Sequence, residues 1–211
     1  MRKNGLQGLY PVYGPTVRLA KRWICSHMFS GILAGEAVEL LVKYLFVRPF
    51  PFSPPCSRVT GFLRFLRPVA YHDWALSPLV VDVNGDLTMK EEGQIMAQFI
   101  AKRKDSLGES GANRIGPAMY IATPYDWESE SWTSFFPDNI SLKRLIAYAK
   151  SSAELLTRLV GGEVLEGSKS LFRTPLQCYD ALILLHRDKL AYPSQILFNA
   201  DIKQGSLPVT I

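Results

Sequence analysis

The sequence predicts an α+β protein, with three helices in its first third and a mixed α/β part after them. Three observations lead there. Apolar residues recur at helical spacing in three successive segments before residue 77. After residue 78, short apolar runs with strand character alternate with helical patterns. The charge also changes along the chain: residues 1–77 carry a net +7 and residues 78–211 a net −2. The two parts are therefore read as domains, 1–77 and 78–211, with the junction near Trp74 to Pro78.

Of the 211 residues, 47% are apolar and 20% charged, enough to bury a core and too little charge for a disordered chain. Cys25, Cys56 and Cys178 are far apart and form no C-x-x-C pair, which points to a reducing compartment. Cys25 falls in an apolar helical pattern and reads as a small hydrophobe. Polar, Gly-rich sequence follows Met1, so no signal peptide is expected. The longest apolar stretch, Ala37 to Val47, is broken by Glu39 and Lys43, so no membrane span is expected. Residues 1–14 read as an irregular lead-in, and the abrupt entry into the first helix suggests a piece of a longer protein.

The first helix is predicted from about Pro15 to Phe29, because Pro suits a first turn. Val17, Ala20, Ile24 and Met28, flanked by Trp23 and His27, form its inward face. Arg18, Lys21 and Arg22 share another face at i, i+3 and i+4. His27 reads as a structural histidine, since no second ligand stands one turn away. The second helix covers Gly35 to Arg48, with Val38, Leu41, Val42, Leu45 and Phe46 inward; Pro49 stops it. In the Pro-rich loop that follows, Phe50 and Phe52 read as tucked into the core. A peptide- or base-stacking loop is the other reading. Ser57 caps a third helix, Arg58 to Val69, with Phe62, Leu63, Phe65 and Leu66 inward and Arg64 and Arg67 outward.

Residues 78–83 and 118–123 read as strands, and residues 179–185 as a third. Thr88 and Glu91 make a capping box for a helix whose narrow apolar face is Ile95, Met96, Phe99 and Ile100. Lys102, Arg103 and Lys104 suit that helix's C-terminus or a phosphate patch. Residues 105–116 read as a mobile loop. A long helix from about Ile140 to Leu159 turns Leu142, Leu145, Ile146, Ala149, Ala153, Leu156 and Val160 inward and ends at Gly161.

No complete catalytic constellation is present. Asp82, Asn84 and Asp86 partly imitate a calcium loop, but Leu87 stands where Gly is needed and Gly93 where a bidentate Glu is needed. A metal pair for nucleotidyl transfer would require a carboxylate at Asn84. A turn after a strand accounts for the segment. His72 beside Asp73 lacks a nucleophile, and Gly108 to Ala112 lacks the last glycine of a nucleophile elbow. What remains is a basic surface: Arg18, Lys21 and Arg22 on the first helix, and Arg58, Arg64 and Arg67 on the third. Such side chains hold phosphates as charges, without sequence readout.

Thr16–Trp23 paired with Glu36–Val42 resembles the core helices of poly(A) polymerase and oligoadenylate synthetase substrate domains. The longer set Gly14–Trp23, Glu36–Val42 and Thr60–Leu66 resembles more closely the Nrap family of nucleolar RNA-associated proteins. Asp73-Trp74, Pro78–Asp82, Ala118–Asp126, Phe172–Leu176 and Tyr179-Asp180 continue the resemblance in order, and it weakens after Leu185. Nrap proteins are much longer, with two tandem nucleotidyltransferase-like units whose catalytic heads are degenerate. The resemblance implies a partial helical substrate-type domain followed by a small α/β domain. It implies a non-catalytic scaffold of the small-subunit processome, in the nucleolus of the nucleus, acting in pre-ribosomal RNA processing and small-subunit biogenesis. Its partners would be pre-ribosomal RNA and other processome proteins, an Rrp-seven type protein among them. No catalytic residue, metal, cofactor, small-molecule substrate or membrane partner is expected. The alternatives are an accessory substrate-binding domain of an active nucleotidyltransferase, and a protein scaffold whose basic face meets an acidic partner.

Overall fold

A computed structural model describes residues 5–105, 117–134, 136–163, 168–174 and 181. In chain order the elements are α1 (Leu6–Leu9), α2 (Tyr13–Ser26), α3 (Gly35–Val47), α4 (Arg58–Tyr71), β1 (Leu79–Val80), α5 (Met89–Asp105), β2 (Ile121–Ala122), α6 (Glu130–Thr133) and α7 (Asn139–Val160), then a 3-10 turn at Ser168–Phe172. Two compact units divide the chain, residues 1–174 and 175–211, and only Ala181 of the second is described. The expected junction near Trp74 to Pro78 falls inside the first unit. The strand expected at 179–185 and most of the loop expected at 105–116 lie outside the described residues.

The core is helical. α2, α3 and α4 pack on one another, and α4 packs most extensively on α7. Trp23 of α2 is fully buried among His27, Phe29 and Phe65. Its indole N–H donates to the Ser152 hydroxyl of α7 at 2.9 Å, which satisfies a polar group that burial would otherwise make costly. The predicted inward residues of α3 are all buried. Those of α2 are displaced: Tyr13, Thr16, Ala20, Trp23 and Ile24 are buried, whereas Met28 is 58% exposed. Helix α2 ends at Ser26, Met28 turns left-handed with φ +60°, and the Phe29 N–H returns to the Ile24 carbonyl. That reversal carries Met28 off the helical face. Val160 is exposed because Gly161 already ends α7 there. Cys25 is exposed too, on the side of α2 opposite the core, and is not a core hydrophobe.

The close approach of α2 and α4 depends on Gly61. A Cβ there would lie 2.5 Å from Thr16 Oγ1 and 2.9 Å from its Cγ2. Thr16 fits beneath α4 because its hydroxyl donates to the Val12 carbonyl at 2.8 Å, so nothing polar is left unpaired. Gly61→Ala is expected to destabilise the chain by about 1–3 kcal/mol through overpacking, as measured by urea unfolding. Thr16→Ala in the same chain is expected to restore part of that loss. Additive losses in the double variant would show that the clash is relieved by other movements.

The sheet is small. β1 and β2 pair in parallel, Leu79 with Ile121 and Val80 with Ala122. The runs expected as strands at 78–83 and 118–123 thus shorten to two residues each, and Val83 faces solvent. Parallel strands need a crossover, and α5 supplies it. Ile95 and Phe99 of α5 pack against Tyr120 and Ala122, while Met96 and Ile100 remain exposed. Two strands offer little surface, so only the middle of the predicted apolar face of α5 is covered. Its N-terminus is held as expected: Thr88 N–H donates to Glu91 Oε2 at 2.7 Å and Glu91 N–H to Thr88 Oγ1 at 3.3 Å. The cap at Ser57 is likewise present, its hydroxyl accepting from Thr60 N–H at 3.1 Å.

The Pro-rich loop departs from expectation. Phe50 is 91% exposed and Phe52 54% exposed, so neither enters the core. Phe52 lies instead beneath the Arg64 guanidinium, and Pro55 is the loop residue that is buried.

Candidate nucleic-acid interface

Helix periodicity sets the first group of candidate residues. Burial of Thr16, Ala20, Trp23 and Ile24 against α4 and α7 turns Arg18, Lys21 and Arg22 to solvent together. Lys21 is only partly available: its Nζ lies 2.6 Å from Glu39 of α3. Arg22 lies over the Phe172 ring, 5.7 Å from its centroid, and Phe172 stacks on Phe62 of α4. Arg18 and Arg22 make no ion pair among the described residues. This face therefore presents two unpaired guanidinium groups and one paired ammonium.

The second group belongs to α4. Arg64 and Arg67 are three residues apart on its outward side, and Arg58 stands in its first turn. Arg64 is anchored: it donates to the Ser53 carbonyl and lies 4.8 Å from the centroid of the Phe52 ring. Arg58 and Arg67 are exposed and unpaired among the described residues. The two groups have separate supports, Glu39 and Phe172 for α2, Ser53 and Phe52 for α4. Helical spacing brings together Arg18, Lys21 and Arg22 on α2 and Arg64 with Arg67 on α4, whereas Arg58 stands apart at the start of α4; among the described residues no hydrogen bond or ion pair joins one group to the other.

Lys102 and Arg103 of the remaining basic run are used internally. Lys102 pairs with Glu128 at 2.5 Å and Glu130 at 3.5 Å. Arg103 donates to the carbonyls of Trp74 at 3.0 Å and Ala118 at 3.2 Å, which ties the end of the helical part to the approach of β2. Sequence offered no signal for this role, because the two carbonyls come from distant segments.

The carboxylates near β1 are likewise structural. Asp82, the buried carboxylate among the described residues, accepts from the N–H groups of Gly85 at 2.9 Å, Asp86 at 3.0 Å and Leu87 at 2.9 Å. Burial pushes its pKa up, and the backbone N–H groups of Leu87, Asp86, Gly85 and Asn84 more than offset this, leaving it below the usual range. Asn84 donates to Asp86 at 3.0 Å. The segment is thus a loop wound around a carboxylate, as the reading of a turn after a strand required. No cluster of three metal-ligating side chains occurs among the described residues. No helix among them is long and apolar enough to cross a membrane.

His27 is buried beneath the 3-10 turn, with Nε2 3.2 Å from the Leu171 carbonyl. Burial holds its pKa below the usual range, and the hydrogen bond to Leu171 opposes this only in part. It packs edge-on to Trp23 and Tyr148, which agrees with a structural histidine.

The packed helices, the covered parallel strand pair and the outward arginines form a domain of the poly(A) polymerase/oligoadenylate synthetase-like class. The family model that matches residues 10–174 is described as the Nrap protein PAP/OAS1-like domain 5. Nucleolar protein 6 of Xenopus laevis is 38% identical over 211 residues, 96% of this chain and 18% of that protein. Nucleolar protein 6 of Homo sapiens is 35% identical over 183 residues, 86% of this chain and 15% of that protein. U3 small nucleolar RNA-associated protein 22 of Schizosaccharomyces pombe is 29% identical over 178 residues, 84% of this chain and 15% of that protein. The chain belongs to the Nrap family. It spans less than a fifth of the length of these relatives. Their names give the family a nucleolar, hence nuclear, location.

Proposed function

We propose that this chain is an RNA-associated scaffold segment of the small-subunit processome, without catalysis of its own, acting in pre-ribosomal RNA processing and small-subunit biogenesis. The observation that carries this reading is the outward face of α2, where Arg18 and Arg22 make no ion pair among the described residues and stand beside Lys21. Unpaired guanidinium groups on a rigid helix suit phosphate contacts. The name of the fission yeast relative supports RNA association, since it links that protein to U3 small nucleolar RNA. Engagement of Asp82 by its own loop supports the absence of catalysis, since its oxygens are taken by backbone donors. In this reading the arginines of α2 and α4 face precursor RNA, and the α/β part that begins at β1 faces neighbouring processome proteins.

The test is RNA binding by the purified chain as a function of salt. Lys21 is left in place because its loss would strand Glu39. Arg18→Gln with Arg22→Gln is expected to weaken binding and to reduce the log–log salt slope by about 1.4, roughly 0.7 for each lost contact on a single strand. An unchanged slope, with the far-ultraviolet circular dichroism of the native chain, would remove α2 as an RNA surface and favour a protein scaffold.

A further inference from the structure

We infer that the loop between α3 and α4 is a stacking platform for unpaired bases of single-stranded RNA, with Phe50 as the exposed ring and Arg64 as the support behind it. This rests on the RNA-associated reading above and adds to it the form of RNA that is gripped.

Four observations carry it. The Phe52 N–H donates to the Pro49 carbonyl at 2.8 Å, closing a turn that has Phe50 at its tip. That ring is 91% exposed, far more than an aromatic side chain needs for any structural purpose. The base of the loop is fixed. Pro55 is buried, and Arg64 both donates to the Ser53 carbonyl and covers the Phe52 ring at 4.8 Å. Pro49, Pro51, Pro54 and Pro55 stiffen the rest, so displaying the ring costs little further ordering on binding.

The surrounding charge selects the occupant. No Asp or Glu occurs from residue 40 to residue 72, whereas Lys43, Arg48, Arg58, Arg64 and Arg67 do. Arg48 is neutralised by Glu92, but Arg58 and Arg67 are unpaired among the described residues. An exposed aromatic ring on a segment that itself carries arginines and no acid, its one ion pair among the described residues being Arg48 with Glu92 of α5, matches the combination that binds single strands, in which bases stack on aromatic faces and phosphates meet cations. A peptide partner would need an apolar groove beside the rings, and here the side chain that covers the Phe52 ring is the Arg64 guanidinium. A duplex hides its base faces and would leave Phe50 unused.

The experiment uses the whole 211-residue chain and two fluorescein-labelled probes, a 12-nucleotide oligouridylate and a blunt RNA duplex of 12 base pairs. Phe50→Ala is expected to weaken oligouridylate binding roughly 5- to 150-fold, the range reported for loss of one base–aromatic stack. Its salt slope is expected to stay unchanged, because no phosphate contact is removed. Duplex binding is expected to be unaffected, and Phe50→Trp to keep or strengthen oligouridylate binding. Equal thermal unfolding of all three proteins checks that the exposed position does not alter the fold. Undiminished oligouridylate binding by Phe50→Ala would overturn the platform while leaving the RNA-associated reading intact. Duplex binding without oligouridylate binding by the native chain would do the same. Binding of neither probe would overturn both and leave the loop to a protein partner.

Discussion

Trp23→Ala is expected to destabilise the chain by about 3–5 kcal/mol, the cost typical of removing a buried Trp and leaving a cavity. The indole is fully buried at the meeting of α2, α4 and α7, against His27, Phe29 and Phe65. Helices of 14 to 22 residues such as these are held in water by tertiary packing more than by propensity. Loss of the ring should therefore loosen the whole helical unit, with a fall in Tm on the order of 10 °C. Thermal unfolding followed by circular dichroism reads this directly. Trp23→Phe separates the hydrogen bond from the bulk, because it keeps an aromatic ring and leaves the Ser152 hydroxyl without its 2.9 Å donor. Adding Ser152→Ala to Trp23→Phe is expected to recover part of the loss, since removing both partners of a buried bond costs less than removing one. A double variant as unstable as the sum of the two single variants would show that the bond contributes nothing.

Asp82→Ala is expected to cost about 3 kcal/mol, because three backbone donors lose a charged acceptor together. The loop lies between β1 and α5, so its loss should release the crossover that makes the parallel pair possible. The same carboxylate gives a pH signature. Its folded pKa lies below the unfolded value, so its contribution is fully present above about pH 4 and is lost as pH falls through the lower folded value. Asp82→Asn, which cannot titrate, is expected to flatten the acid limb of the stability curve while keeping part of the loop geometry. An acid limb identical to that of the native chain would assign the acid sensitivity to other groups.

Much of the local structure was legible. The capping box at Thr88 and Glu91 and the cap at Ser57 are set by three-residue spacings that no distant contact alters. The inward stripe of α3 was legible because its apolar positions are numerous enough to define one face. The face of α2 was legible only in part. Thr16 reads as polar, yet it is fully buried, because Gly61 of another helix leaves room for it and Val12 accepts its proton. Met28 reads as apolar, yet it sits outside, because the chain reverses at that residue. Of the candidate RNA contacts, the outward direction of Arg18 and Arg22 followed from periodicity. The engagement of Lys21 by Glu39 and of Arg64 by Ser53 did not, since each joins separate elements.

By itself, then, the sequence determined which segments form the longer helices, two of their caps, the apolar stripe of α3, how charge is distributed and to which family the chain belongs. These properties depend on neighbours within a few residues or on the order of motifs. The tertiary structure alone decided that Arg103 is a tie, that Asp82 is the centre of a loop, and that Phe50 stands in solvent. Each of those outcomes depends on which distant carbonyl, amide or empty space a side chain meets, and hydrogen bonding and close packing settle that only when the elements assemble.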